Sequence, residues 1–319
     1  MSHTGLQLQE QQDKRVAAVS KWAERRQFYG IAVVLLASLL WAVSSNMAQV
    51  LFARDHFTAG WLVSIRMLVS GILLLGVVSF AYGPTAVVSV WRVRKDALKL
   101  IVLSVIGLLG MQYSFYSSIA YGNSVVATLL QNLGPVFITV FVAVRARQAP
   151  NGWQIGAVGL AVVGTFLLVT GGHLHSLSVS RAAVVWGLVS GVTMAFYTLY
   201  PGGLLRQYGP ATIVGWAMLI GGIALSCVAH PWQLAVKTTP EDWFLVACVI
   251  VLGTLLAYYL YIASLKYISP SETSLLASSE PLFITVVAVA FLHVHLSLAS
   301  LVGGVFILST VLILSLKRV

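Results

Sequence analysis

Two charged residues inside long apolar stretches are the side chains of this sequence best placed to do chemistry. Glu280 lies in LLASSEPLFITVVAVAF (residues 275–291), and Arg66 lies in IRMLVSGILLL (residues 65–75). A lone charge at the centre of a bilayer costs upwards of ~2.5 kcal/mol, so such residues usually face a partner or a water-filled space. Glu280 therefore either lines a central cavity, where it meets a cation or carries a proton, or forms a buried ion pair with Arg66.

Polar and aromatic side chains at helical spacing occur in most of the other apolar stretches. Polar groups in hydrocarbon need partners, so each of them is expected either to line a cavity or to join two helices. As a set they indicate an aromatic-rich, mostly neutral pocket that suits a small zwitterionic or amphipathic solute. The predicted cavity residues are Trp41, Asn46, Arg66, Gln112, Tyr116, Asn132, Tyr197, Tyr258, Ser278 and Glu280.

The sequence lacks the motifs of several common enzymatic reactions. There is no phosphate-binding G-x-x-x-x-G-K-[ST], no H-E-x-x-H and no G-x-S-x-G motif, so ATP hydrolysis, zinc proteolysis and serine hydrolysis are not expected. The two cysteines and seven histidines show no metal-ligand spacing. The sequence therefore predicts no catalytic residues, no cofactor and no metal.

The composition requires that these side chains sit in a membrane. The chain has 319 residues, 59% of them hydrophobic and only 9% charged. Apolar windows of about 20 residues recur, and each is long enough to span the bilayer as a helix. An all-α protein of ten transmembrane helices is predicted, near 28–52, 58–81, 98–120, 123–144, 151–171, 180–202, 210–230, 242–264, 271–292 and 297–316.

The distribution of basic residues predicts the orientation of these helices. With residues 1–27 as a cytoplasmic N-terminal segment, 15 of the 19 Lys and Arg residues fall on the inner side and three on the outer side. Loops rich in Lys and Arg stay in the cytoplasm. Both termini are therefore expected inside the cell, and the net charge of +10 is not taken as a sign of nucleic-acid binding.

An internal repeat divides the chain into two halves. YGNSVVATLLQNLGPVFITV (residues 121–140) and YISPSETSLLASSEPLFITV (residues 267–286) are identical at eight of 20 positions when shifted by 146 residues. The halves, residues 28–171 and 172–319, hold five helices each, so the second copy is inverted in the membrane, as in many secondary transporters. Pro135 and Pro281 occupy equivalent positions and are predicted to kink helices four and nine.

Four stretches are similar to a known family: LLWAVSSN in helix one, IRMLVSGILLL in helix two, NLGPVFITVFVAV in helix four and SSEPLFITVVAVAF in helix nine. In these stretches the sequence resembles the EamA-type members of the drug/metabolite transporter superfamily. The resemblance implies a central cavity lined by helices one to four and six to nine. This sequence differs from many members of the superfamily at the ends of helices four and nine. Those members carry a Gly-Glu pair there, where this chain has RARQAP and FLHVHL.

Within that superfamily, size and helix number are most similar to amino-acid and metabolite exporters. The expected function is export of aromatic and other neutral amino acids across the bacterial inner membrane, by a protein that works as a monomer and has the lipid bilayer and its substrate as partners. Three alternatives stay open: export of lipophilic cationic drugs, transport of phosphorylated metabolites, and a scaffold or assembly subunit that transports nothing. A phosphate carrier should need two basic residues at midplane, where only Arg66 is found.

Overall fold

A computed structural model describes the backbone of residues 3–54, 57–147, 151–173, 177–233 and 238–316. Side chains are described from residue 27 onward within these ranges, except at 270, 271, 274, 275, 315 and 316. All regular elements in the described part of the chain are helices.

The main helices follow the predicted windows to within a few residues, apart from the first, which begins at His3. They are α1 (His3–Phe52), α2 (Ala59–Tyr82), α3 (Arg94–Tyr121), α4a (Ser124–Gln131), α4b (Gly134–Ala146), α5 (Gly152–Thr170), α6 (Arg181–Leu199), α7 (Pro210–Ala229), α8 (Pro240–Ser264), α9a (Pro270–Ala277), α9b (Glu280–Leu292) and α10 (Leu298–Leu316). Eight helical stretches among the described residues are long and apolar enough to cross a membrane, and two shorter apolar helices, Glu280–Leu292 and Leu298–Leu314, accompany them. The prediction of an all-α, multi-pass membrane protein is confirmed.

The fourth and ninth predicted helices are each broken into two segments. All four bounds of α9a and α9b lie 146 residues after the corresponding bounds of α4a and α4b. Pro135 and Pro281 lie in the first turn of the second segment, where a proline loses no helical hydrogen bond. The discontinuity therefore lies just before each proline, at residues 132–133 and 278–279.

The third and eighth helices contain a different irregularity. Residues Leu103–Leu109 of α3 and Val251–Leu256 of α8 form π-helical turns, and the two stretches overlap when shifted by the same 146 residues. A π-helical turn widens the helix and loosens the regular carbonyl pairing, and such turns are frequent at functional sites.

Each first helix of a sequence half packs against the other half. Helix α1 lies against α8 and α9b, whereas α6 lies against α3 and both segments of α4. Helices α2 and α7 pack along each other, as do α5 and α10, and α4a contacts α9b. The result is two groups, α1–α8–α9 and α3–α4–α6, flanked by two helix pairs.

Glycines allow the closest of these approaches. A Cβ at Gly187 would lie 2.5 Å from the Leu130 side chain, and one at Gly191 would lie 3.0 Å from the Leu130 carbonyl oxygen. Residues 187–191, with the sequence GLVSG, thus form the surface on which α6 packs against α4. By contrast, Gly152 and Gly156 of GWQIG have no described atom within 4 Å of an added Cβ, so that motif makes no close contact in the described part of the chain.

The first turns of α3 and α8 carry acidic residues 146 positions apart, Asp96 and Asp242. The hydroxyl of Tyr208 donates to Asp96 at 2.8 Å, which raises the pKa of Tyr208 above its ordinary value. Arg54 forms ion pairs with Glu241, at 2.6 Å, and with Asp242. Hydrogen bonds to Glu241 and Asp242 raise the pKa of the Arg54 guanidinium. The Tyr208–Asp96 hydrogen bond attaches the connection after α6 to α3. The ion pairs of Arg54 attach the end of α1 to α8.

Candidate functional site

Arg66 is buried between helices and almost fully hydrogen-bonded. Its Nε donates to Thr254 Oγ1 at 2.8 Å, one terminal nitrogen donates to Tyr116 and to Gln112 at 3.3 Å, and the other donates to the Gly253 carbonyl at 3.3 Å. The guanidinium also lies 5.0 Å from the centre of the Tyr116 ring, within the range of a cation–π contact. Only 6% of Arg66 is exposed. Its charge is solvated by neutral groups of α3 and α8.

Two of these partners were missed by reasoning from the sequence. Thr254 and Gly253 belong to the π-helical turn of α8, where loosened backbone pairing lets the Gly253 carbonyl accept from Arg66. Gly253 also lies so close to α1 that an added Cβ would fall 1.9 Å from Ser44 Oγ. A glycine and a threonine inside an apolar stretch carry little sequence signal; only the preference of membrane helix contacts for small residues indicates them.

Glu280 forms no direct ion pair with Arg66. Among the described residues, no hydrogen-bond or ion-pair partner lies within reach of the Glu280 carboxylate, although it interacts electrostatically with Arg66 and Tyr258. Glu280 is the first residue of α9b, and the positive end of a helix dipole stabilises a carboxylate there. This dipole favours the charge that Arg66 does not neutralise directly.

Glu280 is only partly buried, so some of its surface stays accessible. The enclosed polar side-chain atoms without a partner in the described part of the chain are the hydroxyls of Ser70, Thr128 and Ser279; the Glu280 carboxylate is not one of them.

Tyr258 is the point at which the predicted site residues meet. It interacts electrostatically with Arg66, Glu280, Tyr116 and Tyr197, which belong to α2, α9b, α3 and α6. The Trp41 ring of α1 lies edge-on to the Tyr258 ring, with 5.4 Å between centroids. We call Trp41, Arg66, Tyr116, Tyr197, Tyr258 and Glu280 the central cluster. Like Glu280, Tyr197 and Tyr258 are only partly buried, and no described residue is hydrogen-bonded to either hydroxyl.

The remaining predicted residues have other surroundings. Asn46, which is 3% exposed, donates to the carbonyls of Ala42 and Ile284 and accepts from Ser124 at 3.0 Å, so it joins α1 to α4a and α9b. Asn132 donates to the Thr128 carbonyl at 2.8 Å and thereby stabilises the break in α4. Gln112 belongs to the Arg66 network, and Ser278 is half-buried at the break in α9.

The arrangement brings together groups that can bind a small solute. A free carboxylate, tyrosine hydroxyls and aromatic faces lie together deep in an apolar helical protein, and the described residues include no group of three or more His, Cys, Asp or Glu that could hold a metal ion. Polar groups that converge between membrane-crossing helices are typical of the solute sites of transport proteins.

Comparison with known proteins agrees with that class. The EamA-like transporter family model matches residues 28–170 and 181–316, and the chain belongs to this family of the drug/metabolite transporter superfamily. The resemblance found in the sequence is thereby confirmed. The chain is 34% identical over 287 residues to YicL of Salmonella typhimurium, described as an uncharacterized inner membrane transporter, covering 90% of this chain and 95% of YicL.

Two more distant similarities add to this. The chain is 28% identical over 210 residues to the threonine/homoserine exporter RhtA of Salmonella typhimurium, covering 63% of this chain and 66% of RhtA. A solved crystal structure that is 16% identical superposes with a TM-score of 0.57 and covers 91% of this chain and 96% of its own; it shows the same fold. The protein is a multi-pass transporter of the bacterial inner membrane.

Proposed function

We propose that this protein is a secondary transporter that exports neutral amino acids, aromatic ones included, by alternating access. The observation that carries the proposal is the unpaired carboxylate of Glu280 beside the hydroxyls and rings of Tyr258 and Tyr197. A carboxylate in that place binds the ammonium group of a solute, and aromatic rings accept both the cation and an apolar side chain.

The substrate class is supported from two sides. RhtA, a relative at 28% identity, is named as a threonine/homoserine exporter. The partly accessible side chains of Glu280, Tyr197 and Tyr258 offer a small solute a carboxylate, two hydroxyls and two aromatic rings. Asn46, Gln112 and Asn132 then serve chiefly to fix the helices around the solute rather than to touch it, because each already has a partner in the protein.

The proposed mechanism depends on an inverted repeat of two five-helix halves, with the termini in the cytoplasm. The equal offset of the breaks in α4 and α9, the overlapping π-helical turns of α3 and α8, and the family match to residues 28–170 and 181–316 support the repeat. The distribution of basic residues supports the cytoplasmic termini. We propose that the groups α1–α8–α9 and α3–α4–α6 rock against each other and open the central cluster to either side in turn.

Counterflow in proteoliposomes tests this function. Vesicles preloaded with unlabelled neutral amino acids are given labelled phenylalanine or threonine outside, and the purified wild type should accumulate the label. Glu280→Gln should lower the initial rate at least about tenfold, because the charge that pairs with the ammonium group is lost.

Glu241→Gln is the matched control, because this glutamate is exposed at the end of the molecule and Arg54 keeps Asp242 as a second partner. It should transport at the wild-type rate. No accumulation of any amino acid by the wild type would refute the amino-acid substrate and leave the family membership intact.

A second candidate function is export of lipophilic cations. The absence of a direct Glu280–Arg66 ion pair among the described contacts favours it, since an unneutralised carboxylate attracts cations whatever else they carry. The same vesicles, loaded with an unlabelled lipophilic cation and given a labelled one, separate the two candidates.

A further inference from the structure

The two charged side chains of the central cluster differ in the number of hydrogen bonds that they make within the protein. Arg66 makes four hydrogen bonds, to Thr254, Gln112, Tyr116 and the Gly253 carbonyl, from the five N–H groups of a guanidinium. The Glu280 carboxylate makes none with the described residues. In an ordinary amino-acid site both charges would be available, one for each end of the zwitterion.

A substrate carboxylate would therefore find no cation free to pair with it, and only neutral hydroxyl groups as donors. To bind Arg66 as a fork it would have to displace neutral acceptors that now solvate a side chain only 6% exposed. The other basic residues whose side chains the structure describes lie in connections or near helix ends. A carboxylate taken into this space without a cationic or multiple hydrogen-bond partner loses more hydration than it regains.

A substrate ammonium group, by contrast, finds both kinds of interaction that stabilise it. Glu280 supplies a carboxylate, and the free hydroxyls of Tyr197 and Tyr258 are hydrogen-bond acceptors beside it. The Trp41 ring packs against Tyr258 and adds an aromatic surface on which a cation or an apolar body can rest.

We infer that the central cluster selects monocationic amines: it binds organic ammonium compounds that lack a free carboxylate more tightly than zwitterionic amino acids of the same size. The inference rests on the proposed function in using the same site. Neutral amino acids remain substrates, and amines and amino acids whose carboxyl group is esterified or amidated are bound more tightly. The site then selects by charge because Arg66 is hydrogen-bonded to neighbouring helices, whereas the Glu280 carboxylate is left to bind the ligand.

Binding to the purified full-length protein in lipid nanodiscs tests the inference with a matched series. The ligands are 2-phenylethylamine, phenylalanine methyl ester, phenylalanine and 3-phenylpropionate, which share a ring and differ in charge. At pH 7 the amine and the ester should bind at least about tenfold more tightly than phenylalanine, and 3-phenylpropionate should bind most weakly. In Glu280→Gln the preference of the amine over phenylalanine should fall to about twofold or less.

Three results overturn the inference. Equal or tighter binding of phenylalanine by the wild type would show that Arg66, or another donor, does receive the carboxylate. An amine preference that survives in Glu280→Gln would place the cation elsewhere. If neither 2-phenylethylamine nor phenylalanine bound, the central cluster would not be a binding site for either class of compound. The counterflow assay separates the two proposals, because phenylalanine accumulation without amine preference leaves the amino-acid exporter standing and ends the charge selection.

A change in folding is distinguished from a change in recognition by the same protein samples. Because Glu280 has no hydrogen-bond partner among the described residues, Glu280→Gln should unfold at the wild-type temperature. Glu280→Asp provides a second variant that keeps the charge and should retain the preference for the amine over phenylalanine.

Discussion

At the scale of single residues, Arg66 is expected to act on stability through its hydrogen-bond geometry. A lysine keeps the charge but has three donors at one point instead of a planar fork, so Arg66→Lys leaves some of Thr254, Gln112, Tyr116 and the Gly253 carbonyl without a partner. Buried acceptors left unpaired cost about 1–3 kcal/mol each, and the temperature of thermal unfolding in detergent should fall clearly. Arg181→Lys, at an exposed position, is the control and should unfold like the wild type. An unchanged unfolding temperature for Arg66→Lys would show that only its charge matters.

The importance of Arg66 and Glu280 was predictable, but their relation was not. Rarity of charge within apolar stretches identifies both, and counting residues from the helix ends places them at similar depths. Depth along a helix does not determine which neighbour a side chain faces. The structure shows Arg66 turned toward α3 and α8, with Glu280 within electrostatic range but unpaired. Reasoning from sequence therefore left the ion pair open, because the partners of Arg66 are neutral side chains and a backbone carbonyl.

At the scale of elements, the contact between α1 and α8 depends on Gly253. An alanine there would place its Cβ 1.9 Å from Ser44 Oγ and 2.4 Å from Ser44 Cβ, so the helices must separate and Arg66 loses its carbonyl partner. Gly253→Ala should lower the unfolding temperature and the transport rate. The double variant Ser44→Gly with Gly253→Ala should recover most of both, since the obstructing side chain is gone.

Gly159→Ala is the matched control for that change. It lies within α5 and an added Cβ meets no described atom within 4 Å, so alanine should leave stability unchanged or raise it by up to ~1 kcal/mol through its better helix propensity. If Gly253→Ala behaved like Gly159→Ala, the close approach of α1 and α8 would be refuted.

The irregular elements differ in how far sequence could reveal them. The repeat and its prolines indicated a disturbance in helices four and nine, and the structure has the breaks just before those prolines. The π-helical turns of α3 and α8 were not predicted, because they contain no proline and follow the same apolar pattern as a regular helix. In α8 the turn contains Gly253, which packs closely against Ser44 of α1.

At the scale of the whole molecule, the packing of α1 against α8 and α9b, and of α6 against α3 and α4, ties the two sequence halves together. The repeat predicts two copies of one unit, but similarity between copies does not say whether each copy packs with itself. The exchange of first helices was therefore not accessible from sequence. It also means that the main neighbours of each first helix belong to the other half.

The orientation of the whole molecule is predicted from its basic residues and is open to direct measurement. In a background with Cys227 and Cys248 replaced by alanine, single cysteines are introduced at Val93 and His173, both exposed. Val93 leaves the basic residues of its connection in place, and His173 avoids the adjacent Gly172, whose φ of +91° is strained for any other residue.

With both termini in the cytoplasm, a membrane-impermeant maleimide added to intact cells should label His173→Cys at once and Val93→Cys only after the membrane is permeabilised. The opposite pattern would invert the protein in the membrane, and would make the Arg54–Asp242 ion pair a feature of the cytoplasmic face.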